Sequence, residues 1–344
     1  MLTEYLQKRG FAMKKITVLA ILITILTASV FLAACGNTEQ TGDDAVLTPV
    51  TICLDWTPNI NHAGLYIAQH EGYFTQQGLD VTIVQPGDNY ALQLVAAGQA
   101  QFGISYQEEV TFGRIQGIPV VSLAAIMQHN TSCFASPKDK GIETVADFDG
   151  RTYGGWGGQV ETALLDYLAE KENYQSPVEI IDIGSSDFFA ATASGQVDFS
   201  WIYYGVTGIE AQLRSEELNL IWVKDIDPAL DYYTPVVVAE EKWLADNEDT
   251  AKAFMAAVSK GYIFAAENPE KATEIMLTEI PELNEENTAA GLAWAATQFT
   301  ADAPYWGYQN EEIWQGFADW LYQQGILSEE FAGKEAFTND YLPQ

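Results

Sequence analysis

The sequence has few basic residues, few histidines and few cysteines. Its 16 Lys and Arg stand against 48 Asp and Glu, so the formal net charge at pH 7 is −32. A chain with this charge repels nucleic acid and anionic membrane surfaces, and both are excluded as partners. The three histidines are scattered, and no ladder of Asp and Asn resembles a calcium loop. We therefore expect neither a metal site nor a catalytic triad.

The first cysteine, Cys35, ends an N-terminal segment with the pattern of a secretory signal peptide. Four basic residues precede an uncharged apolar stretch, residues 16–32, and the tetrad Leu-Ala-Ala-Cys follows. The stretch is shorter than the roughly 20 residues that a spanning helix needs, and Met13 is a second possible start. The tetrad resembles a bacterial lipobox, in which the cysteine becomes the lipidated first residue. We expect cleavage after residue 34 and an extracytoplasmic protein anchored by lipid on Cys35; an uncleaved anchor is the alternative.

The remaining sequence has the alternating pattern of an α/β fold. Residues 35–47 are polar and predict a flexible tether. Strand-like and helix-like segments then alternate, which indicates mostly parallel sheets; residues 63–77, for example, predict one amphipathic helix. Cys53 and Cys133 lie in apolar, strand-like segments, so no disulfide framework is expected.

An internal similarity indicates two related lobes. The stretches "AAGQAQFGISY" (96–106) and "ASGQVDFSWIY" (193–203) share small residues, a Gly-Gln pair, a Phe and a final Tyr. Each predicts a helix end capped by Gly98 or Gly195, then a turn and a short buried strand. The chain can cross between lobes near residues 120–136 and 232–244. One lobe is therefore expected at 48–134 plus 237–344 and the other at 135–236, with a cleft at the hinge.

Candidate ligand-contacting residues follow the predicted strands, because ligands of open α/β sheets bind beyond the carboxyl ends of the strands. These positions carry aromatic rings, amides and carboxylates, and none carries Lys or Arg. We expect the ligand to contact the following residues: Trp56, Asn59, His62, Tyr106, Trp156, Gly157, Glu161, Tyr203 and Tyr204. For His62 the alternative is a structural role as a helix cap or a buried core residue.

The glycine loop "GRTYGGWGGQVETALL" (150–165) looks at first like a phosphate-binding loop. Such a loop needs free backbone N–H groups and a nearby Lys or Arg, whereas this one carries Trp156 and Glu161. The indole between glycines is expected to stack on a ligand. Glu161 either accepts hydrogen bonds from that ligand or is the capping-box acid of a helix that begins after Gly158.

Other acids are alternatives for the ligand's edge. Glu210 and Glu108 are candidates, and of Glu108 and Glu109 we expect one to face the cleft and one to face solvent. Rings and carboxylates without basic residues predict a pocket for a flat, nitrogen-rich ring that is neutral or weakly cationic.

Several long motifs resemble one known family. They are "LDWTPNINHAGLYIAQHEGYF", "ISYQEEV", "MQHNTS", "YGGWGGQVE" and "FSWIYYG". Over about residues 48–340 the chain is similar to the extracytoplasmic thiamine-precursor binding proteins of bacterial ABC transporters. The resemblance implies a type II periplasmic-binding-protein clamshell, α/β and two-lobed with a ligand cleft at the hinge. It also implies an aminopyrimidine ligand, hydroxymethylpyrimidine or formylaminopyrimidine, which a cofactor-free monomer delivers to a permease and its ATPase.

The family has relatives of two other kinds. Some are eukaryotic pyrimidine synthases that use a pyridoxal phosphate lysine. This chain has no lysine between Lys15 and Lys138, and the aligned position is Ser105, so no enzyme is predicted. Others bind taurine, sulfonates or nitrate, anions that call for Arg or Lys at the strand ends, and those residues are missing here.

Overall fold

The computed structural model describes residues 46–87, 90–184 and 187–343. The expected signal peptide, Cys35 and nearly all of the tether lie outside these residues. In the part of the chain that the structure describes, no helix has the length and apolar character needed to cross a membrane.

Ten strands in the described residues form two five-stranded sheets. They are β1 (Thr48–Cys53), β2 (Leu79–Val84), β3 (Phe102–Ser105), β4 (Val120–Ala125), β5 (Ser132–Pro137), β6 (Thr152–Gly155), β7 (Glu179–Asp182), β8 (Phe199–Tyr203), β9 (Leu218–Trp222) and β10 (Val236–Glu240). The first sheet has the order β2-β1-β3-β10-β4 and the second the order β7-β6-β8-β5-β9.

The two sheets have the same topology. In the first, β10 is antiparallel to β3 and β4, while the other four strands share one direction. In the second, β5 is antiparallel to β8 and β9 in the equivalent place. The two similar sequence stretches end in β3 and β8, which are equivalent strands, and each strand follows a left-handed glycine, Gly98 (φ 69°) or Gly195 (φ 75°). The prediction of an α/β fold with two lobes and mostly parallel sheets is confirmed.

Helices cover both sheets. Those described are α1 (Ala63–His70), α2 (Tyr73–Gln76), α3 (Ala91–Ala96), α4 (Gln107–Ile115), α5 (Gln159–Glu172), α6 (Phe188–Ala193), α7 (Ile209–Leu213), α8 (Val223–Ile226), α9 (Glu241–Asp246), α10 (Glu248–Glu267), α11 (Pro269–Glu279), α12 (Glu285–Ala295) and α13 (Glu311–Gln323). The single helix predicted at 63–77 is wrong: Gly72, at φ 69°, separates α1 from α2 because this left-handed conformation interrupts the helix.

The C-terminal helix α13 joins both cores. Its Trp314 packs with residues of the first sheet, such as Val236 and Val238. One turn later, Phe317 and Trp320 pack with residues around Phe134 in the second sheet. The two lobes therefore share the buried face of one helix in addition to the chain crossings.

Two chain crossings at the hinge, residues 126–131 and 223–235, are tied together by one histidine. His129 Nδ1 lies 2.7 Å from Asp231 Oδ2, and its Nε2 lies 3.1 Å from Asp302 Oδ1. The backbone N–H of Asn130 also donates to Asp231, at 2.8 Å. The hydrogen bond with Asp231 is the main cause of a raised pKa of His129. His129 therefore links both crossings to the chain beyond α12.

Away from the hinge, the lobes meet at two glycines. Gly205, in a π-helical turn (Tyr204–Gly208) after β8, packs against α12 and the short helix Ile60–His62. A Cβ on Gly205 would lie 2.5 Å from the ring of Trp294, and a Cβ on Gly291 would lie 3.0 Å from the Gly205 carbonyl oxygen. Backbones approach so closely only without side chains. The lobes are in contact here, as in a closed clamshell.

Candidate functional site

The carboxyl ends of strands from the two sheets face one another. The loop after β1 touches the turn after β8, since Ile60 lies beside Gly205. Tyr203, at the end of β8, has a raised pKa because it is buried and because Glu108 and Asp55 of the first lobe add negative charge nearby. The residues after β1, β3 and β8 therefore lie close together between the lobes.

Asp55, just after β1, organises the first group of side chains. It accepts hydrogen bonds from His62 Nε2 at 2.6 Å and from the Tyr106 hydroxyl at 2.7 Å. Burial raises the pKa of Asp55, but these hydrogen bonds outweigh burial and hold the pKa below its ordinary value. His62 is fully buried, and its Nδ1 accepts from the Asn59 backbone N–H at 3.1 Å. With both ring nitrogens occupied, His62 positions Asp55, which matches the structural alternative.

The rest of the loop after β1 combines a capping amide with an exposed ring. The Asn59 side chain accepts from the Asn61 backbone N–H at 2.9 Å and donates to the Thr57 carbonyl at 3.0 Å. It therefore caps the short helix Ile60–His62. Trp56, in contrast, is 52% exposed. Of the two predicted contacts Trp56 and Asn59, Trp56 has the side chain that is exposed and able to contact a ligand.

Two neighbouring acids begin helix α4. Glu109 accepts a hydrogen bond from the Ser105 hydroxyl at 2.6 Å, whereas Glu108 Oε2 is buried and has no partner among the described residues. Burial raises the pKa of Glu108 to about 8, and burial also raises the pKa of Glu109. The expectation that one of the two acids faces solvent is wrong, since both are partly buried. The N-terminal turn of α4 points both side chains inward.

In the glycine loop, the side chain of Glu161 accepts the hydrogen bonds that a bound anion would accept. Glu161 is 3% exposed and accepts from the Tyr153 hydroxyl, from the Trp156 backbone N–H at 3.2 Å and from the Gly158 backbone N–H at 2.6 Å. The bond from the Gly158 N–H makes Glu161 the capping acid at the start of α5, as one of the two sequence alternatives states; only this half of a capping box forms, because Gly158 has no side chain. Burial raises the pKa of Glu161 despite the three donors. The N–H groups that would hold a phosphate are already occupied by this carboxylate.

The glycines of the loop make room for that arrangement. A Cβ on Gly155 would lie 2.5 Å from Glu161 Oε1, and a Cβ on Gly158 would lie 3.0 Å from the indole nitrogen of Trp156. Gly157 adopts φ 83°, a left-handed conformation that other residues rarely tolerate. The role of Gly157 is therefore to shape the backbone that presents Trp156.

Trp156 is half exposed at the tip of the loop. Its side chain is 46% exposed, and its ring centroid lies 5.7 Å from that of the buried Trp201, at an angle of 60°. No local sequence pattern indicates this neighbour, since Trp156 and Trp201 are distant along the chain. Trp201 packs against the indole of Trp156, and the exposed part of the indole is free to contact a ligand.

Tyr203 and Tyr204 diverge. Tyr203 points toward the acids of the first lobe, as described above. Tyr204 packs against Trp222 and Trp294, with ring centroids 5.1 and 5.3 Å away, and its hydroxyl accepts from Gln212 at 2.7 Å. Tyr204 therefore belongs to the contact between the lobes. Among the acids, Glu210 is paired with Arg214 one helical turn away and is not a free acceptor.

Basic side chains do not reach these acids. Among the described residues, no Lys or Arg forms an ion pair with Asp55, Glu108, Glu109 or Glu161. Nor do the described residues contain a group of three or more side chains able to hold a metal ion. The site can accept hydrogen bonds and stack on a ring, but it offers no cation to an anion.

Three residues that contribute to the site are not predicted from the sequence. Tyr153 donates to Glu161, Trp201 supports Trp156, and Tyr232, on the second crossing, lies close enough for Glu108 to raise its pKa after burial. Asp55 was visible at a strand end but was not singled out. No local pattern marks the other three. Tyr153 contacts Glu161 eight residues later, and Trp201 and Tyr232 lie far along the chain from Trp156 and Glu108.

A family model and several known proteins are similar to this chain in sequence. A family model described as NMT1/THI5 like matches residues 59–272, more than half of the chain. The chain is 29% identical to the formylaminopyrimidine-binding protein of Halalkalibacterium halodurans, over 92% of this chain and 98% of that protein. It is 25% identical to the riboflavin-binding protein RibY of Chloroflexus aurantiacus, over 86% and 87% of the two chains.

A solved structure gives the same fold. The periplasmic aliphatic sulphonate binding protein SsuA from Escherichia coli superposes with a TM-score of 0.65 at 15% identity, covering 84% of this chain and 91% of that one. At this identity the likeness concerns the fold alone, which is that of the two-lobed periplasmic binding proteins. Because the family model spans most of both lobes, the chain belongs to the NMT1/THI5-like family.

Proposed function

We propose that this protein is the solute-binding component of an ABC importer and that it binds a thiamine-precursor aminopyrimidine, hydroxymethylpyrimidine or formylaminopyrimidine. The observation that carries the proposal is a set of residues at the strand ends, with two exposed indoles, Trp56 and Trp156, and buried or partly buried carboxyls. Among the described residues, no Lys or Arg pairs with Asp55, Glu108, Glu109 or Glu161. Indoles stack on flat rings, and carboxyls accept hydrogen bonds from amino groups. The relative named for formylaminopyrimidine supports the same class of ligand.

The glycine loop argues against the anion-binding alternative. In this chain Glu161 occupies the Trp156 and Gly158 N–H groups. A sulfonate, nitrate or phosphate would have to displace a buried carboxylate, and in the described part of the chain no Lys or Arg pairs with Glu161 that could compensate the anion's charge. The fold shared with a sulfonate-binding protein therefore does not extend to its ligand.

Anions are accordingly expected not to compete. Millimolar sulfate, taurine or nitrate should leave the affinity for an aminopyrimidine unchanged, and raising the salt concentration tenfold should change it less than about threefold, because no counter-charge is screened. Calorimetric titration of the ligand with and without each anion checks this. Displacement of the pyrimidine by taurine or sulfate would instead favour the anion-binding relatives.

The site supports a receptor rather than an enzyme. At the position of the expected Schiff-base lysine stands Ser105, whose hydroxyl donates to Glu109. Incubating the protein with the pyrimidine and recovering it for mass spectrometry distinguishes the two functions. A receptor returns the compound with its mass unchanged, whereas a new mass that appears in proportion to protein would establish an enzyme.

For transport, we place the two lobes at about 48–134 with 237–344 and at 135–236, closing on the ligand at the hinge. In this proposal, the close contact of Gly205 with Gly291 limits how far the lobes can close on each other. A monomer in this form presents both lobes together to the permease, whose separate ATPase drives uptake. The pyrimidine then enters thiamine biosynthesis or salvage.

The protein is proposed to act outside the cytoplasm on a lipid anchor at Cys35. Replacing Cys35 with Ser should release the processed protein from the membrane fraction into the medium or periplasm, because the thiol that carries the lipid is gone. Fractionation and immunoblotting measure the release, and ligand affinity serves as the control because it should not change. A Cys35→Ser protein that still sediments with membranes would contradict the lipobox.

A further inference from the structure

Glu108 differs from the other acids of the cleft. Its Oε2 is buried and has no hydrogen-bond partner among the described residues. Each of the other three carboxyls accepts from side-chain or backbone donors: Asp55 from His62 and Tyr106, Glu109 from Ser105, and Glu161 from Tyr153, Trp156 and Gly158. An unpaired buried polar atom costs about 1 to 3 kcal/mol, so a ligand that supplies the missing hydrogen bond to Oε2 would be stabilised by it.

Among the residues that the structure describes, no Lys or Arg forms an ion pair with Glu108. Glu109 follows it on α4, and Tyr203 and Tyr232 face it from β8 and from the second crossing. Asp55 lies beyond Tyr203, where it holds Tyr106 and His62. Burial and Glu109 raise the pKa of Glu108 to about 8, so at neutral pH its side chain is a carboxylic acid. In this form it presents one O–H donor and one oxygen acceptor.

We propose that Glu108 reads the amino edge of the ring as an un-ionised acid, donating its O–H to a ring nitrogen and accepting from the neighbouring exocyclic amine. This inference rests on the proposed function. A carboxylate has only acceptors and would set a lone pair against the ring nitrogen. If the proton moves across, the O–H bond breaks, the N–H bond forms and the electron pair stays on the carboxylate. In both forms the pair holds one shared proton.

The shared proton makes binding depend on pH. Below about pH 8 free Glu108 already carries the proton, so binding takes up none. Above that pH the free side chain is ionised, and each complex must take up one proton. The dissociation constant is therefore constant near neutral pH and rises toward tenfold per pH unit on the alkaline side.

The test is calorimetric titration of hydroxymethylpyrimidine in two buffers of different ionisation enthalpy, which counts the protons taken up. The wild-type protein should take up close to none at about pH 7 and close to one at about pH 9. Glu108→Gln keeps a donor and an acceptor but cannot titrate; it should lose roughly tenfold in affinity and take up no proton at either pH. The matched control, Glu109→Gln, keeps Glu108 and should still take up close to one proton at about pH 9. Since the charge of Glu109 raises the pKa of Glu108, its loss should move the onset of uptake to lower pH.

Each outcome of this titration either supports or overturns the role proposed for Glu108. Proton uptake in the wild type that disappears in Glu108→Gln and persists in Glu109→Gln supports the proposal. Binding without uptake at alkaline pH, or uptake that survives in Glu108→Gln, overturns it and leaves the proposed function intact. Absence of pyrimidine binding by the wild type at every pH removes the proposed function itself, and this inference with it.

Discussion

Replacing Glu161 with Ala is expected to lower the free energy of unfolding by about 2 to 4 kcal/mol. The change removes the common acceptor of three donors, the Tyr153 hydroxyl and the backbone N–H groups of Trp156 and Gly158. The cap that Glu161 forms at the start of α5 is lost with it. Because the same carboxylate fixes the loop, ligand affinity should fall as well. Chemical denaturation and calorimetry measure the two effects.

Glu161→Gln separates a structural from a ligand-binding role. The amide keeps the shape of the side chain and can still accept from Gly158, so the loss of stability should be less than half that of the Ala variant. If Glu161 only builds the loop, affinity in Glu161→Gln stays close to wild type and the ring edge belongs to Glu108. A large loss of affinity in Glu161→Gln with unchanged stability would mean that Glu161, and not Glu108, binds the edge of the ligand ring. An unchanged stability in Glu161→Ala would contradict the hydrogen bonds described here.

Trp156→Ala should weaken ligand binding by about 1 to 3 kcal/mol, the contribution of an aromatic side chain stacked on a base. In dissociation constant this is a loss of roughly 5- to 150-fold. The melting temperature without ligand should change little, because the side chain is 46% exposed and packs mainly on Trp201. Calorimetry and thermal denaturation of the variant give both values.

Tyr322→Ala is the matched control for the loss of an exposed ring. Tyr322 is 41% exposed, lies on α13 and is not among the predicted ligand contacts. Its removal should leave affinity at the wild-type value. Equal losses in both variants would mean that truncating any surface ring disturbs the fold, and wild-type affinity in Trp156→Ala would exclude stacking by the loop.

The architecture could be predicted because its signals are local and repeated. The glycine-capped helix ends at Gly98 and Gly195, each followed by a short apolar strand, are properties of neighbouring residues. Their recurrence pointed to two lobes, and the strands concerned occupy equivalent places in the two sheets. The capping-box alternative for Glu161 was equally local, since it depends on a residue three positions after Gly158.

The directions of side chains at the strand ends could not be predicted in the same way. Glu108 and Glu109 both turn inward, and Tyr203 and Tyr204 separate, because the opposite lobe decides which directions are buried. Spacing along one segment does not contain that information. The burial of Glu108 Oε2, which has no hydrogen-bond partner among the described residues, likewise depends on tertiary contacts.

The central claim, that the cleft takes an aminopyrimidine, is tested most directly by thermal denaturation of the processed protein with a panel of ligands. The panel comprises hydroxymethylpyrimidine, formylaminopyrimidine, thiamine, riboflavin, taurine and nitrate. A ligand present at 100 times its Kd adds about 2.7 kcal/mol to the stability of the native state. We expect this stabilisation from one or both aminopyrimidines and none from taurine or nitrate. Stabilisation by taurine, nitrate or riboflavin with no effect of either aminopyrimidine would contradict the claim.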